Sequence, residues 1–271
     1  MNSIQLLKKM AAGERIYGTL ITSASPFWIS KIKTIGLDFV FIDTEHNPMD
    51  RIALSHLCNS YKGAGLATLT RIPSPSPFDA SMALDAGSNG ILAPYIESPE
   101  QVRNLVGAVK YRPLKGKRLE GVLGGSVELT QNELDFFGRY NEGNFLFINI
   151  ESQYAIDNLD EILAVPGFDG IIIGPHDLSI NLGVPEQFSS KVFLDAVSHI
   201  IRKTLEHGKM VGNHFSFGID YELEWARQGM NIILHSIDLT VFANTMREEL
   251  NIFRKLFGEP IYGADGNIER G

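Results

Sequence analysis

Cysteine is nearly absent from this sequence: Cys58 is the only one among 271 residues. A single cysteine excludes an intrachain disulfide framework and fits a reducing compartment, which predicts a cytoplasmic location. Positive charge is also in short supply, since 24 Lys and Arg residues against 32 Asp and Glu residues leave a net charge of −8. That balance argues against a general nucleic-acid binder, which usually carries a basic surface.

Long hydrophobic runs are missing as well. No apolar stretch approaches the roughly 18 residues of a membrane span, and Lys8 and Lys9 stand where a signal peptide would need its apolar stretch. The remaining composition, 44% hydrophobic and 21% charged, is that of a globular chain with a sizeable core. We therefore expect a soluble protein that binds neither membranes nor nucleic acid.

Short apolar runs alternate with longer amphipathic segments along the chain. Several runs lack polar alternation, which is typical of parallel strands covered on both faces. Parallel neighbours need crossovers, and eight strand–helix units predict a (β/α)8 TIM barrel as a single domain over residues 1–257, with a flexible tail over 258–271. The predicted strands are 17–22, 39–43, 67–71, 90–93, 145–150, 170–173, 209–212 and 231–234.

A doubly wound open sheet is the alternative fold. The first strand–helix turn contains no G-x-G-x-x-G, and no G-x-x-x-x-G-K-[ST] occurs anywhere in the sequence. These absences weaken the nucleotide-binding version of that fold. The least regular stretch, 111–143, is too long for a simple connection and predicts a functional loop that includes a helix over 129–140.

Acidic side chains directly follow two of the predicted strands. In a barrel the catalytic groups gather at the carboxyl ends of the strands, so Glu151 and Asp177 should meet there. Two neighbouring carboxylates favour a bound cation, and oxygen ligands indicate Mg²⁺ or Mn²⁺, with Co²⁺ as a third candidate. The structural alternatives are a helix N-cap for Asp177 and a salt bridge for Glu151.

His46 and Arg71 stand at two further strand ends. Asp43 precedes His46 by three residues, and a carboxylate beside an imidazole suits a general base. Arg71 ends an apolar strand and needs an anion, which is either Glu45, in a structural pair, or a substrate carboxylate or enolate.

No lysine stands at the carboxyl end of any predicted strand. A Schiff-base aldolase or a pyridoxal-phosphate enzyme needs such a lysine, whereas metal-assisted carbonyl chemistry does not.

Several segments resemble the HpcH/HpaI family of class II, metal-dependent pyruvate aldolases. The resemblance extends from Gly18 to about Leu256 and is most specific in the segment that ends in GPHDLS. The other matching segments are FVFIDTEHNPMD, LTRIP, MALDAGSNGILAPYIESPEQ, INIESQYAIDNLDEIL and GMNIILHSIDL.

The resemblance implies a carbon–carbon lyase that cleaves or forms 4-hydroxy-2-oxo acids through a pyruvate enolate. Glu151 and Asp177 would ligate the metal, which would chelate pyruvate or another 2-oxo acid, and Arg71 would steady the keto oxygen. His46 would act as acid and base with Asp43, or with Asp85 from a neighbouring subunit. Such enzymes are homo-oligomers, often hexamers, whose C-terminal helices pack across subunits.

Four residues depart from the family pattern: Asn149, His176, His214 and His235. His214 and His235 would add polar contacts or crowd the pocket. We expect substrate contacts from Arg71, Asn149, Gly174, Pro175, His176 and His214. Two alternatives stay open: a lyase or enolate-using synthase acting on an acyl-CoA or a natural-product precursor, and a non-catalytic oligomeric barrel that binds 2-oxo acids.

Overall fold

A computed structural model of the chain describes residues 1–216 and 218–267. Eight parallel strands pair in chain order, and the first closes the ring against the eighth. The predicted (β/α)8 barrel is therefore confirmed. The strands are β1 (Ile16–Leu20), β2 (Phe39–Asp43), β3 (Ala67–Arg71), β4 (Gly90–Ala93), β5 (Phe145–Ile150), β6 (Gly170–Ile173), β7 (Met210–Phe215) and β8 (Ile232–Ile237).

One helix precedes the first strand, and the others connect the strands or follow the last one. Most of them match the amphipathic segments of the sequence, whereas α1 and α6 were not predicted. The helices are α1 (Ser3–Ala11), α2 (Pro26–Ile32), α3 (Arg51–Gly63), α4 (Pro77–Asp85), α5 (Pro99–Lys110), α6 (Gly116–Leu123), α7 (Gln131–Tyr140), α8 (Gln153–Asp157), α9 (Leu159–Leu163), α10 (Pro175–Asn181), α11 (Lys191–Glu206), α12 (Ile219–Arg227) and α13 (Asp238–Phe257).

The last two strands are longer than the sequence suggested. Five strands, β2 to β6, have the predicted bounds, but β7 and β8 each extend three residues beyond theirs. Asn213 and His214 hid the end of β7 because polar residues normally mark the end of a buried strand. His214 pairs in register with Leu234, so its imidazole is carried by the rigid sheet rather than by a loop.

Two apolar cores lie on opposite faces of the strands. The larger fills the space between strands and helices. The smaller fills the barrel interior and includes four buried phenylalanines, Phe39, Phe41, Phe145 and Phe147. Gly90, the register partner of Phe145, leaves room for this core because a Cβ there would lie 2.1 Å from the Phe145 ring. The alternation of side chains along each strand thus sends apolar residues to both faces.

Helix α1 covers the amino-terminal end of the barrel. Leu6 and Met10 are buried in the inner core, and the main-chain N–H of Ala67 donates to the carbonyl of Met1 over 2.8 Å. A capping box between Asn2 and Gln5 begins the helix. This end of the barrel is therefore sealed by side chains, and the opposite end is left for polar groups.

The segment after α13 folds back onto that helix. Asn251 donates to the Tyr262 carbonyl over 2.8 Å and accepts its N–H over 3.1 Å, and the Arg254 guanidinium lies 4.8 Å from the Tyr262 ring. The flexibility predicted for 258–271 stays a prediction, and residues 268–271 lie outside the described part. None of the helices described is both long and apolar enough to span a bilayer.

Candidate active site

A cavity of about 610 Å³ opens at the carboxyl end of the barrel. It lies above the inner core, whose upper residues Phe41, Leu92 and Ile172 form its floor. Its walls contain nearly every predicted site residue: Asp43, His46, Arg71, Asn149, Glu151, Gly174, Pro175, His176, Asp177 and His214. Asp85 is the exception.

Arg71 is held by two acids. Asp43 and Arg71 are register partners on β2 and β3, and Arg71 donates from Nε and Nη2 to the two Asp43 oxygens, each over 2.8 Å. The Glu45 carboxylate lies 3.1 Å from the same Nε. Arg71 therefore pairs with Glu45, one of the two anions considered from the sequence, and more closely with Asp43, which was not considered.

Burial and ion pairing oppose each other in this cluster. Burial favours the neutral form of Asp43, but the hydrogen bonds and charge of Arg71 outweigh it and hold the Asp43 pKa below its ordinary value. Burial dominates at Glu45, whose pKa is raised despite Arg71. The guanidinium keeps its charge because burial is offset by Asp43, which raises the Arg71 pKa.

His46 stands at the rim of the cavity rather than against Asp43. Its imidazole is 64% exposed, and its Nε2 lies 3.7 Å from Glu45 Oε2. The Asp43 oxygens instead accept from Arg71, from the Glu45 N–H over 3.1 Å and from Asn47 Nδ2 over 3.2 Å. The acid closest to His46 among the described residues is thus Glu45, and a partnership with Asp43 stays a prediction.

Glu151 and Asp177 are linked by Tyr95, which the sequence analysis missed. The Tyr95 N–H donates to Glu151 Oε2 over 3.1 Å, and its phenol donates to Asp177 Oδ1 over 3.1 Å. Tyr95 adopts a left-handed backbone, with φ of 48°, which is uncommon for a bulky residue. The available signal was its position two residues after β4, at the carboxyl end of that strand.

One oxygen of Glu151 has no partner. The residue is 2% exposed, and its Oε1 makes no hydrogen bond within the described residues. Burial, and then the charge of Asp177, raises the Glu151 pKa to about 8 against the opposing Tyr95 N–H. Gly174 makes room for this oxygen, since a Cβ there would lie 2.2 Å from it.

The structural alternatives for this pair are not observed. Helix α10 is capped by Gly174, and Asp177 makes no capping hydrogen bond. Within the described residues, Glu151 forms no salt bridge. A buried carboxylate with an orphaned oxygen beside a second carboxylate fits a divalent cation. No third Asp, Glu, His or Cys joins them among those residues, which suits an ion that keeps water and substrate ligands.

Asn149 and His214 contribute neutral polar atoms to the cavity. Asn149 donates from Nδ2 to the Ile172 carbonyl over 2.9 Å, and its buried Oδ1 has no partner in the described structure. His214 Nε2 lies 3.2 Å from the Ser236 carbonyl, so Nε2 carries the proton and Nδ1 is an acceptor. Burial lowers the His214 pKa to about 4, which keeps the imidazole neutral.

His176 stands at the rim, on the first turn of α10. Its ring contacts Phe188 edge to face at 5.5 Å, and its Nδ1 lies 3.5 Å from the Glu186 carboxylate. Phe188 and Glu186 follow α10 in the chain, so the segment after this helix orients the imidazole against the cavity.

Asp85 and His235 lie away from the cavity within this subunit. Asp85 ends α4, is ion-paired with Arg112, and lines a separate cleft of about 820 Å³. His235 faces the outside of the barrel, where its Nδ1 lies 2.5 Å from Glu222 Oε2. The expectation that His235 touches or crowds the pocket was therefore wrong, because the alternation along β8 turns it outward. A role for Asp85 in a neighbouring subunit stays a prediction.

The comparisons with known proteins agree with one another. The model of the family described as HpcH/HpaI aldolase/citrate lyase matches residues 17–245. A 5-keto-4-deoxy-D-glucarate aldolase of Klebsiella pneumoniae is 30% identical over 252 residues, which cover 91% of this chain and 95% of that protein.

Solved structures give the same picture. An HpcH/HpaI aldolase from Desulfitobacterium hafniense superposes with a TM-score of 0.78 at 25% identity, covering 92% of this chain and 96% of that one. The citrate synthase SbnG superposes with a TM-score of 0.79 at 27% identity, covering 94% and 99%.

Proposed function

The chain belongs to the HpcH/HpaI aldolase/citrate lyase family, and from this premise we propose that it is a metal-dependent carbon–carbon lyase. The reaction is that of a class II aldolase, which cleaves or forms 4-hydroxy-2-oxo acids through a pyruvate enolate. The observation that carries the proposal is the orphaned Glu151 Oε1, buried beside Asp177 in the same cavity as Arg71.

Glu151 and Asp177 would hold Mg²⁺ or Mn²⁺, with Co²⁺ as a third candidate. When bound, such a cation supplies Lewis acidity that stabilises negative charge developing on a substrate oxygen. Tyr95 would orient both carboxylates through its N–H and its phenol. Gly174 keeps the approach to Glu151 open, because no side chain larger than hydrogen fits there.

Arg71 would bind the keto oxygen of the 2-oxo acid. Asp43 occupies Nε and Nη2, while the Nη1 protons have no hydrogen-bond partner within the described residues. The bidentate pair fixes the guanidinium plane, so its remaining donors are oriented before substrate arrives. They would stabilise the oxygen as it acquires enolate charge. Asn149, Pro175, His176 and His214 would form the rest of the substrate site.

His46 would move the proton. In cleavage it accepts the proton of the 4-hydroxyl, and the bond between C3 and C4 breaks. The products are an aldehyde and the pyruvate enolate. Its exposure at the rim lets it exchange that proton with solvent. Glu45 lies closest, and Asp43 or Asp85 of a neighbouring subunit would be the further acidic partner.

We also propose a homo-oligomer, such as a hexamer, in which α13 packs across subunits. The helix has one buried residue, Asp238, whose carboxylate accepts from the N–H groups of Thr22 and Ser23. Exposed apolar side chains line the rest: Leu239, Val241, Phe242, Met246, Leu250, Ile252, Phe253, Leu256 and Phe257. A surface this apolar supports a subunit contact. The cytoplasmic location stays a prediction from Cys58.

An enolate-using synthase is the second candidate, because the structural likeness includes the citrate synthase SbnG. Oxaloacetate decarboxylation tests what both reactions share, since it needs enolate stabilisation but no aldehyde. Chelator-treated protein should be inactive and should recover with Mg²⁺ or Mn²⁺. Aldol cleavage of 4-hydroxy-2-oxo acids then separates the aldolase from the synthase. Full decarboxylation after verified metal removal would overturn the metal-dependent reaction.

A further inference from the structure

The turn after β4 contains an acid to which the proposed reaction gives no role. Glu97 is half-buried, and its Oε1 accepts the Ser152 hydroxyl over 2.6 Å, a distance typical of a hydroxyl that donates to a carboxylate. Within the described residues, no lysine, arginine or histidine forms an ion pair with Glu97. Ser152 directly follows Glu151 and is 4% exposed. The hydrogen bond therefore joins the turn after β4 to the turn after β5, beside a proposed metal ligand.

Tyr95 lies on the first of these turns, in a backbone conformation that needs support. Its φ of 48° is uncommon for a bulky residue and persists only where the surroundings fix it. Gln101 Oε1, on α5, accepts the Glu97 N–H over 2.8 Å, and Asn158 Nδ2 donates to the Glu97 carbonyl over 3.2 Å. The Ser152 hydroxyl adds a contact from the residue next to the proposed ligand on β5. The turn is thus held from several sides.

Tyr95 in turn contacts both proposed metal ligands. Its N–H donates to Glu151 Oε2 and its phenol to Asp177 Oδ1, each over 3.1 Å. Glu151 Oε1 has no hydrogen bond within the described residues, so the Tyr95 N–H decides which oxygen is left for a cation. None of Tyr95, Glu97 and Ser152 belongs to the described lining of the cavity. They therefore act on the site through the carboxylates and not by touching substrate.

Resting on the proposed metal-dependent function, we propose that Glu97 and Ser152 are positioning residues for the metal ligands. Their hydrogen bond holds the Tyr95 turn against the end of β5, so the Glu151 and Asp177 carboxylates are oriented before a cation arrives. Losing a hydrogen-bond partner of the metal ligands commonly lowers metal affinity by about 10- to 100-fold. Breaking the bond between Glu97 and Ser152 should accordingly weaken cation binding although no ligand is removed.

Two substitutions of Glu97 separate its hydrogen bond from its charge. Glu97→Gln and Glu97→Met both remove the negative charge and keep a similar length. Glutamine keeps a good acceptor for the Ser152 hydroxyl, whereas the thioether of methionine is a weak one. Mn²⁺ affinity is measured from the electron paramagnetic resonance signal of the free ion. Glu97→Met should bind Mn²⁺ about tenfold more weakly than Glu97→Gln, and equal affinities overturn the proposal.

Ser152 gives the same test from the donor side. Ser152→Thr keeps the hydroxyl and Ser152→Ala removes it, so only alanine should weaken Mn²⁺ binding. The Ser152 hydroxyl also accepts the Ala155 N–H over 3.1 Å and caps α8, so Ser152→Ala should lower the Tm as well. Glu97→Met leaves that cap in place. Weaker binding in both variants supports the proposal, whereas weaker binding in Ser152→Ala alone assigns the effect to the cap and overturns it.

A double-mutant cycle tests whether Tyr95 transmits the effect. Tyr95→Phe removes the phenol that donates to Asp177 and keeps the main-chain N–H. The ratio of Mn²⁺ affinities between Glu97→Gln and Glu97→Met should shrink from about tenfold to about threefold in the Tyr95→Phe background, because one of the two contacts that depend on the turn is gone. An unchanged ratio contradicts transmission through Tyr95.

The wild-type protein separates failure of this inference from failure of the proposed function. If it binds no Mn²⁺ and decarboxylates oxaloacetate equally well after verified metal removal, the metal-dependent function fails. If it binds Mn²⁺ and needs the metal for decarboxylation, but the Gln and Met variants of Glu97 have equal affinities, only the positioning role fails. Should Glu97→Met not fold, Ser152→Ala against Ser152→Thr gives the same comparison.

Discussion

The two ends of this barrel differ in the kind of side chain that fills them. The amino-terminal end is filled by apolar side chains, including Leu6 from α1 and Phe39 and Phe145 from the strands. The carboxyl end contains ionised groups and buried polar atoms without partners, such as Glu151 Oε1. Packing stabilises the first end, and the second leaves hydrogen-bonding capacity unused. Substitutions at the two ends should therefore separate stability from catalysis.

The largest effect is expected at the carboxyl end, from Glu151→Gln. Loss of the carboxylate should lower oxaloacetate decarboxylation by about 10³-fold or more, because charge stabilisation in such sites contributes several kcal/mol. Glu100→Gln, at an exposed acid in the first turn of α5, is the matched control; it should leave the rate unchanged and cost at most a small part of the stability through the helix dipole.

Stability should move little in the same variant. Burial raises the Glu151 pKa to about 8, so in metal-free protein its ionisation opposes folding increasingly as pH rises from about 4.5 to 8. At pH 8 without metal, the Tm of Glu151→Gln should equal or exceed that of the wild type. A Tm several degrees lower would place Glu151 among the structural residues.

Arg71 contributes to both catalysis and stability, so Arg71→Ala should lower both. We expect kcat to fall by about 10²–10³-fold with a smaller change in KM, because the interaction strengthens as charge develops. The Tm should also fall, since Asp43 is left buried without its partner. Arg71→Lys should restore part of the Tm and little of kcat, since a point charge lacks the planar fork. A destabilised variant with normal turnover would make Arg71 purely structural.

Leu6→Ala is the counterpart at the closed end. The side chain is fully buried, so its truncation should lower the free energy of unfolding by about 3 kcal/mol. Denaturant melts give the stability, and kcat of the folded fraction should stay within about twofold of wild type. A large loss of kcat with intact folding would show that the two ends are coupled.

The pH dependence of stability tests the environment of the partly buried His214 imidazole at the open end. Burial lowers the folded-state pKa of His214 to about 4, while an unfolded histidine titrates near 6.5. The unfolded chain therefore binds the extra proton between these values, and stability should fall as pH drops from about 6.5 to 4. His214→Asn should flatten this part of the curve, as measured by denaturant melts at several pH values. An unchanged slope would contradict the burial of a neutral ring.

The closed barrel and most of its open end could be predicted from sequence because strand periodicity and strand-end position are local signals. Five strands had the predicted bounds, and the strand-end acids Glu151 and Asp177 do meet in one cavity. Tyr95 was missed because its backbone turns back through a left-handed conformation, which no side-chain pattern announces. The pairing of Asp43 with Arg71 was missed because it depends on register between neighbouring strands.

At the closed end, the helix that covers the barrel was not predicted from the sequence. Its plug, α1, was overlooked although Asn2 and Gln5 have the three-residue spacing of a capping box and precede Leu6 and Met10. The helix is short, and its apolar face has no meaning until a barrel end exists for it to cover. Isolated helices of this length are marginal in water, so tertiary packing decides whether α1 forms.

The smallest expected effect comes from the N-terminal cap of α1. The Asn2 side chain accepts the Gln5 N–H over 2.9 Å, and the Gln5 side chain accepts the Asn2 N–H over 3.1 Å. Asn2→Ala removes the cap and should lower the free energy of unfolding by about 1 kcal/mol, whereas Asn2→Asp keeps an acceptor and should cost much less.

Because only the first turn of α1 loses its partner, hydrogen exchange should accelerate at the amides of that turn before it does so in the strands. The metal-loaded rate should not change, since the cap lies at the barrel end opposite Glu151. If exchange accelerates equally throughout the barrel, α1 is an integral part of the folding core rather than a separately anchored cover.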